Sequence, residues 1–136
     1  MKVLVVDDSE IVRQRLASML SKLEWVENIR VASGSVEAIA AVRDERPEVA
    51  ILDIHLPGGS GIRILRYIRK HRPDTKVIML SNSSLPQYRK TCFENGADFF
   101  FDKSTEFQKV VSVVTEACKK QQKAKNGNNR QSKKER

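Results

Sequence analysis

Three short, uninterrupted apolar runs constrain this chain more than any other feature: "KVLVV" at 2–6, "VAIL" at 49–52 and "VIML" at 77–80. Each is too short for a helix and rich in β-branched or aliphatic side chains, the pattern of strands buried on both faces. "NIRVAS" at 28–33 alternates instead, with Arg30 between Ile29 and Val31, and reads as an edge strand; "DFFF" at 98–101 reads as the other edge. Helical patterns fill the intervals. Val12, Leu16, Met19, Leu20 and Leu23 form one apolar stripe, and Phe107, Val110, Val111, Val114 and Cys118 form another. Weaker helical patterns cover 35–45, 60–72 and 86–95, the last stopped by Gly96. Thr105 and Gln108 stand in capping-box spacing before the final helix. Five βα units in succession predict an α/β fold, a doubly wound parallel sheet with helices on both faces, because right-handed crossovers must lie over it.

After Cys118 the apolar stripe stops. The segment 119–136 holds eight Lys/Arg and one Glu, a net of +7 out of the chain's formal +8, so the remaining 118 residues are close to neutral. Basicity belongs to a tail, and the expected division is a folded domain at 1–118 and a basic tail at 119–136. The tail's first half is made of helix formers and can extend the last helix; from Asn126 onward disorder is expected. No apolar run reaches membrane-spanning length. The N-terminus "MKVLVVDDSE" is not built like a signal peptide. Cys92 and Cys118 have no metal-type pairing and are expected to be reduced, buried thiols of a cytoplasmic protein.

Ligands of open parallel sheets bind outside the carboxyl ends of the strands. Asp7 and Asp8 follow the first predicted strand, Asp53 the third, Ser81 the fourth and Lys103 the fifth. Taken singly, ordinary roles account for all but the Asp7–Asp8 pair: Asp8 or Ser9 as a helix cap, Asp53 with Pro57 and Gly61 as turn chemistry, Ser81 and Lys103 as surface groups. Their falling together at four carboxyl ends is what points to a site. Three carboxylates in one crevice repel one another and need a cation. A hard divalent ion with oxygen ligands, Mg²⁺ by availability, meets that need. One carboxylate can then act as nucleophile toward a phosphoryl group. Asp53 suits this role best, alone at the central strand with glycines beyond it that leave room for close backbone approach.

These residues resemble a known family, the receiver domains of two-component response regulators. The resemblance rests on "VLVVDDSE", "ILDIHLPGGSG", "VIMLS" and "GADFFFDKS", in that order, and covers residues 2–118. It implies the flavodoxin-like strand order 2-1-3-4-5, for which a member of this family is a standard example. It also implies that Asp53 receives a phosphoryl group from a sensor histidine kinase or phosphotransfer protein. Mg²⁺ would be held by Asp7, Asp8, Asp53 and the main-chain carbonyl of His55. Lys103 would contact the phosphoryl group, and the Ser81 hydroxyl would turn to it. Phe100 matches the aromatic that moves inward when that hydroxyl moves, switching a surface on the fourth helix, fifth strand and fifth helix toward a downstream protein. His55 and Ser83 lie where family members tune the lifetime of the phosphoryl group.

The sequence departs from the family at three places. Ser104 replaces a frequent proline, commonly preceded by a cis bond, which costs about 2.5–4 kcal/mol without proline. Phe100 lacks the hydroxyl of the frequent tyrosine, and Ser81 keeps the hydroxyl of the commoner threonine with a looser rotamer. The expected function is a stand-alone switch, a signalling protein whose only chemistry is at Asp53. The alternatives are a receiver fragment of a longer DNA-binding regulator, or a switch whose basic tail binds nucleic acid. A flavodoxin-like nucleotide binder would need a phosphate cradle after the first strand, where "DDSE" would repel phosphate. For the tail, the expectation is weak, sequence-independent polyanion association without membrane insertion, since it lacks apolar anchors and aromatics for base stacking.

Overall fold

The computed structural model describes residues 1–82 and 85–134, the last ten of these by backbone alone. A five-stranded sheet is built from β1 (Lys2–Val6), β2 (Asn28–Ala32), β3 (Val49–Leu52), β6 (Lys76–Ser81) and β7 (Phe99–Asp102), in the order β2-β1-β3-β6-β7. Every pairing is parallel. Counting only these strands, the order is the expected 2-1-3-4-5, with both anticipated edges at the edges. Two short strands, β4 (His55–Leu56) and β5 (Gly59–Ser60), form a small antiparallel ladder of their own. They are joined by Pro57 and Gly58, the latter at φ +74°, the residue pattern of a type II turn. This hairpin was not legible as strand from six residues so rich in turn formers.

Five helices connect the strands: α1 (Glu10–Ser21), α2 (Ser35–Glu45), α3 (Gly61–His71), α4 (Pro86–Glu94) and α5 (Phe107–Lys134). Alternation along the strands divides the interior in two. Leu4, Val6, Ala50, Leu52, Val77, Met79 and Phe100 face α2, α3 and α4. Val3, Val5, Val49, Ile51, Ile78 and Leu80 face the opposite way and pack with Leu16 and Leu20 of α1 and with Phe107, Val110, Val114 and Cys118 of α5. In α5, Val113 and Ala117 complete the packed face rather than Val111.

Helix ends follow local chemistry. Ser9 Oγ accepts from the Val12 N–H at 3.3 Å and starts α1. After α4, Gly96 at φ +97° carries the Gly96 N–H to the Phe93 carbonyl and the Ala97 N–H to the Cys92 carbonyl, a Schellman stop. The expected Thr105–Gln108 box does not start α5. Asp102, three residues earlier, instead organises the turn that leads into it: its carboxylate accepts from the N–H groups of Ser104 (2.7 Å) and Thr105 (3.2 Å). Its own N–H donates to Glu106 Oε1 at 3.2 Å. A charged acceptor outcompetes the Thr105 hydroxyl for the same turn.

The structure carries α5 as helix to Lys134, with side chains described as far as Ala124. Residues 119–125 are nearly all strong helix formers and carry the helix past its last buried residue, Cys118. Both cysteines are free and buried, and burial pushes the Cys92 thiol up to about 11. Among the described residues, no helix is long and apolar enough to cross a membrane.

Candidate functional site

The sheet's own ladder sets the site. Its last rungs join the Asp7 N–H to the Ala32 carbonyl (3.1 Å), the Asp53 N–H to the Val6 carbonyl (3.0 Å) and the Lys103 N–H to the Ser81 carbonyl (3.0 Å). Each group is therefore fixed by the strand that precedes it. Lys103 Nζ lies 2.5 Å from Asp7 Oδ2 and 2.9 Å from Asp53 Oδ2, and all three side chains are buried. Asp8 is exposed beside them, and ligand oxygens of Asp7, Asp8 and Asp53 all lie within 4.8 Å of one another. The structure thus brings together four of the residues singled out in the sequence: Asp7, Asp8, Asp53 and Lys103.

Burial is the main force on Asp53 and raises its pKa, aided by the negative charge of Asp7. The hydrogen bond and charge of Lys103 and the Ile54 N–H pull the other way without cancelling it. For Lys103, burial works to lower the pKa, but the hydrogen bonds and charges of Asp7 and Asp53 outweigh it and the ammonium titrates above its usual value. The ammonium is thus a permanent counter-ion for two carboxylates.

Ser81 is fully buried at the end of β6 and stands opposite Asp102 of β7. Phe100 is buried in the same cluster that Tyr88 of α4 packs against. The Arg89 guanidinium sits 5.7 Å from the Phe100 ring centre and donates to the Phe100 carbonyl at 3.3 Å. His55 lies in β4 with an exposed side chain whose ring meets Tyr88 edge-on, 5.3 Å between centres. Ser83 lies outside the described residues. The Lys103–Ser104 peptide is trans, as are all the described peptide bonds.

Three supporting contacts escaped the sequence reading, although Ser9 itself was read as a possible helix cap. The Ser9 N–H donates to Asp7 Oδ1 at 2.9 Å, so the residue that caps α1 also orients Asp7. Arg13 Nη1 donates to the Asp7 carbonyl at 2.8 Å, one helical turn from that cap. Arg89 lies on a helix whose pattern gave no hint of its contact with β7. Gly61, by contrast, was legible as a place of close approach. A Cβ there would lie 1.9 Å from the Asp53 carbonyl oxygen, and the Gly61 N–H donates to the Ile54 carbonyl at 2.8 Å.

Three carboxylates that converge without a nitrogen or sulfur donor make a site for a hard divalent cation, and Mg²⁺ fits that donor set. Exposed Asp8 leaves one side open to water, which Mg²⁺ retains readily. Fold and site together define an open α/β domain with an acidic centre at the carboxyl edge of its sheet. The chain belongs to the response regulator receiver domain family, which it matches over residues 3–115.

The chain is similar to the probable transcriptional regulatory protein TcrX of Mycobacterium tuberculosis, with 33% identity over 109 residues, covering 80% of this chain and 46% of TcrX. It is also similar to the DNA-binding transcriptional activator DevR/DosR of the same organism, 30% identical over 113 residues, covering 83% of this chain and 52% of the relative. The chain spans about half the length of the curated relatives it matches. Among solved structures, a CheY-like receiver domain protein from Methanospirillum hungatei JF-1 superposes with a TM-score of 0.80 at 25% identity, covering 90% of this chain and 97% of that one. The response regulator domain of Thermotoga maritima CheB gives 0.75 at 28% identity, with 88% and 94% covered.

Proposed function

We propose that this chain is a phosphorylation-dependent switch of the cytoplasm in which Asp53 takes a phosphoryl group from a histidine kinase or phosphotransfer protein. The observation that carries this is Lys103 bridging Asp7 and Asp53, with Asp8 at ligand distance. In the transfer, an Asp53 carboxylate oxygen forms a bond to phosphorus as the donor's P–N bond breaks, and the leaving imidazole takes up a proton. Asp7, Asp8, Asp53 and the His55 carbonyl would hold Mg²⁺, which when bound neutralises charge on the phosphoryl oxygens. Lys103 is close enough to exchange a carboxylate partner for a phosphoryl oxygen. Ser81, at the end of the adjacent strand, supplies a hydroxyl to another.

The output surface is α4, β7 and the start of α5, around Tyr88, Lys103 and Phe107. Movement of Ser81 toward the phosphoryl group changes the room available to Phe100, and phosphorylation biases a two-state equilibrium. The folded switch is residues 1–118. It works through protein contacts; the second reading, a receiver piece of a longer DNA-binding regulator, is favoured by the share of the relatives' length that the chain spans.

The test is intact mass after incubation with acetyl phosphate, with and without chelator. One phosphoryl adduct is expected, dependent on Mg²⁺ and absent in Asp53→Ala; a full adduct in that variant overturns the assignment. Ser81→Ala is expected to keep the adduct and lose amide-exchange changes in α4, β7 and α5. Unaltered changes would contradict the coupling.

A further inference from the structure

Helix α3 carries a feature the switch does not use. From Ile54 to Pro73 the chain has five Lys/Arg and no Asp or Glu. At 3.6 residues per turn, Arg66, Lys70, Arg63 and Tyr67 fall within an arc of about 100° on one side of the helix. Burial confirms that side: Ile64, Leu65 and Ile68, on the opposite arc, are buried, while Arg63, Arg66 and Lys70 are exposed. The three cations span roughly 10 Å at 1.5 Å per residue. The helix dipole favours Lys70 in the last turn but opposes Arg63, which stands in a first turn without an acid. Among the described residues, no ion pair or side-chain hydrogen bond involves Arg63 or Lys70. Acids of the flanking elements are engaged elsewhere: Asp44 with Arg43, Glu94 with Lys90 and Asp98 with Arg69. Arg66 Nε donates to Asn95 Oδ1 at 2.8 Å, which fixes the guanidinium beside the end of α4.

From this face we infer that α3 docks an acidic helical segment of a partner protein, whose carboxylates stand opposite Arg63, Arg66 and Lys70. Cations at i, i+3 and i+7 of a rigid helix match acids presented at the same spacing on another. Arg and Tyr are the residues in which the centres of protein interfaces are rich. A guanidinium already held by Asn95 loses less freedom when it pairs with a carboxylate. Nucleic acid is the poorer match, because the Tyr67 ring packs against the core and lies 4.3 Å from the His71 ring, which leaves it poorly placed to stack on a base. A membrane surface would need large apolar residues beside the cations, and the exposed arc has none. The face lies outside the surface of α4, β7 and α5, so its use does not depend on phosphorylation of Asp53.

The probe is a labelled, alanine-based helical peptide with glutamates along one face, titrated with the full chain at low ionic strength and followed by anisotropy. Arg63→Gln with Lys70→Gln is expected to weaken binding about tenfold, the scale of two exposed ion pairs. Lys119→Gln with Lys120→Gln removes the same charge from α5 and is expected to have a much smaller effect. Arg66→Lys keeps the charge but loses the held fork, and is expected to weaken binding as well. Equal losses in the two double variants, or Arg66→Lys binding as tightly as the parent, overturn the inference in favour of unspecific attraction between charges. In the parent, amide shifts on adding the peptide are expected along 61–72; shifts confined to 119–136 overturn it without reference to any variant. A single-stranded oligonucleotide that binds the parent more tightly than the peptide, and loses that advantage in Arg63→Gln with Lys70→Gln, overturns the choice of partner.

Discussion

Lys103→Met tests the electrostatic argument most directly. In the parent, one buried ammonium lies 2.5 and 2.9 Å from two buried carboxylates. Removing the central member of such a group leaves uncompensated charge, which typically costs 3–5 kcal/mol. Methionine keeps the aliphatic stem, and the opening beside Asp8 admits water, so a loss of about 3 kcal/mol is expected at pH 8 without divalent ion. The sign of the pH dependence follows from Asp53, whose pKa burial already raises. Loss of Lys103 removes two of the influences that hold it down, so the folded variant binds a proton more tightly than its unfolded chain. Stability of the variant therefore rises as pH falls through the raised folded value, and the deficit shrinks toward the ordinary carboxylate range near 4. Mg²⁺ replaces the missing charge and is expected to restore most of the loss, by an amount that grows with its concentration. Urea unfolding at pH 8 and pH 5, with and without Mg²⁺, measures all three effects. A variant as stable as the parent at pH 8 in chelator would refute the claim that the ammonium holds the carboxylates together. So would a deficit that ignores both pH and Mg²⁺.

Three further outcomes are expected. Gly61→Ala drives a methyl into the Asp53 carbonyl and should cost about 1–3 kcal/mol in urea unfolding, with slowed phosphorylation from acetyl phosphate because the acceptor's backbone must shift. Ser9→Ala removes the α1 cap and should cost about 1 kcal/mol, a loss that a Ser9→Asp variant should largely avoid. The Cys92 thiol, pushed up to about 11 by burial, should resist a thiol reagent at pH 8 in the native protein and react at once in denaturant.

Much of this was legible because the strands are buried on both faces. Runs such as "VAIL" and "VIML" are short and bounded by polar or turn residues, which favours strand over buried helix, and βα alternation admits few topologies. The acids were legible because the carboxyl edge of such a sheet is a fixed place. Contacts made across elements were not. Nothing near Arg89 in sequence points to the Phe100 carbonyl, and nothing near His55 points to Tyr88, since both contacts depend on how α4 sits against β7 and the loop after β3. The start of α5 was misread for a related reason: Thr105 has the right spacing for a capping box, but the stronger acceptor, Asp102, belongs to the preceding strand.

The sheet's division of the interior has a consequence for how such a protein can change over time. Leu20 and Ile64 never meet, because β1, β3 and β6 stand between the compartments they fill. Substitutions in one compartment should combine nearly additively with those in the other, so each side can drift in sequence without waiting for compensation across the barrier. The groups at the strand ends belong to neither side, since they hang from backbone that both compartments grip. A lineage could therefore remodel the helices that present signals outward while the acidic centre keeps its geometry.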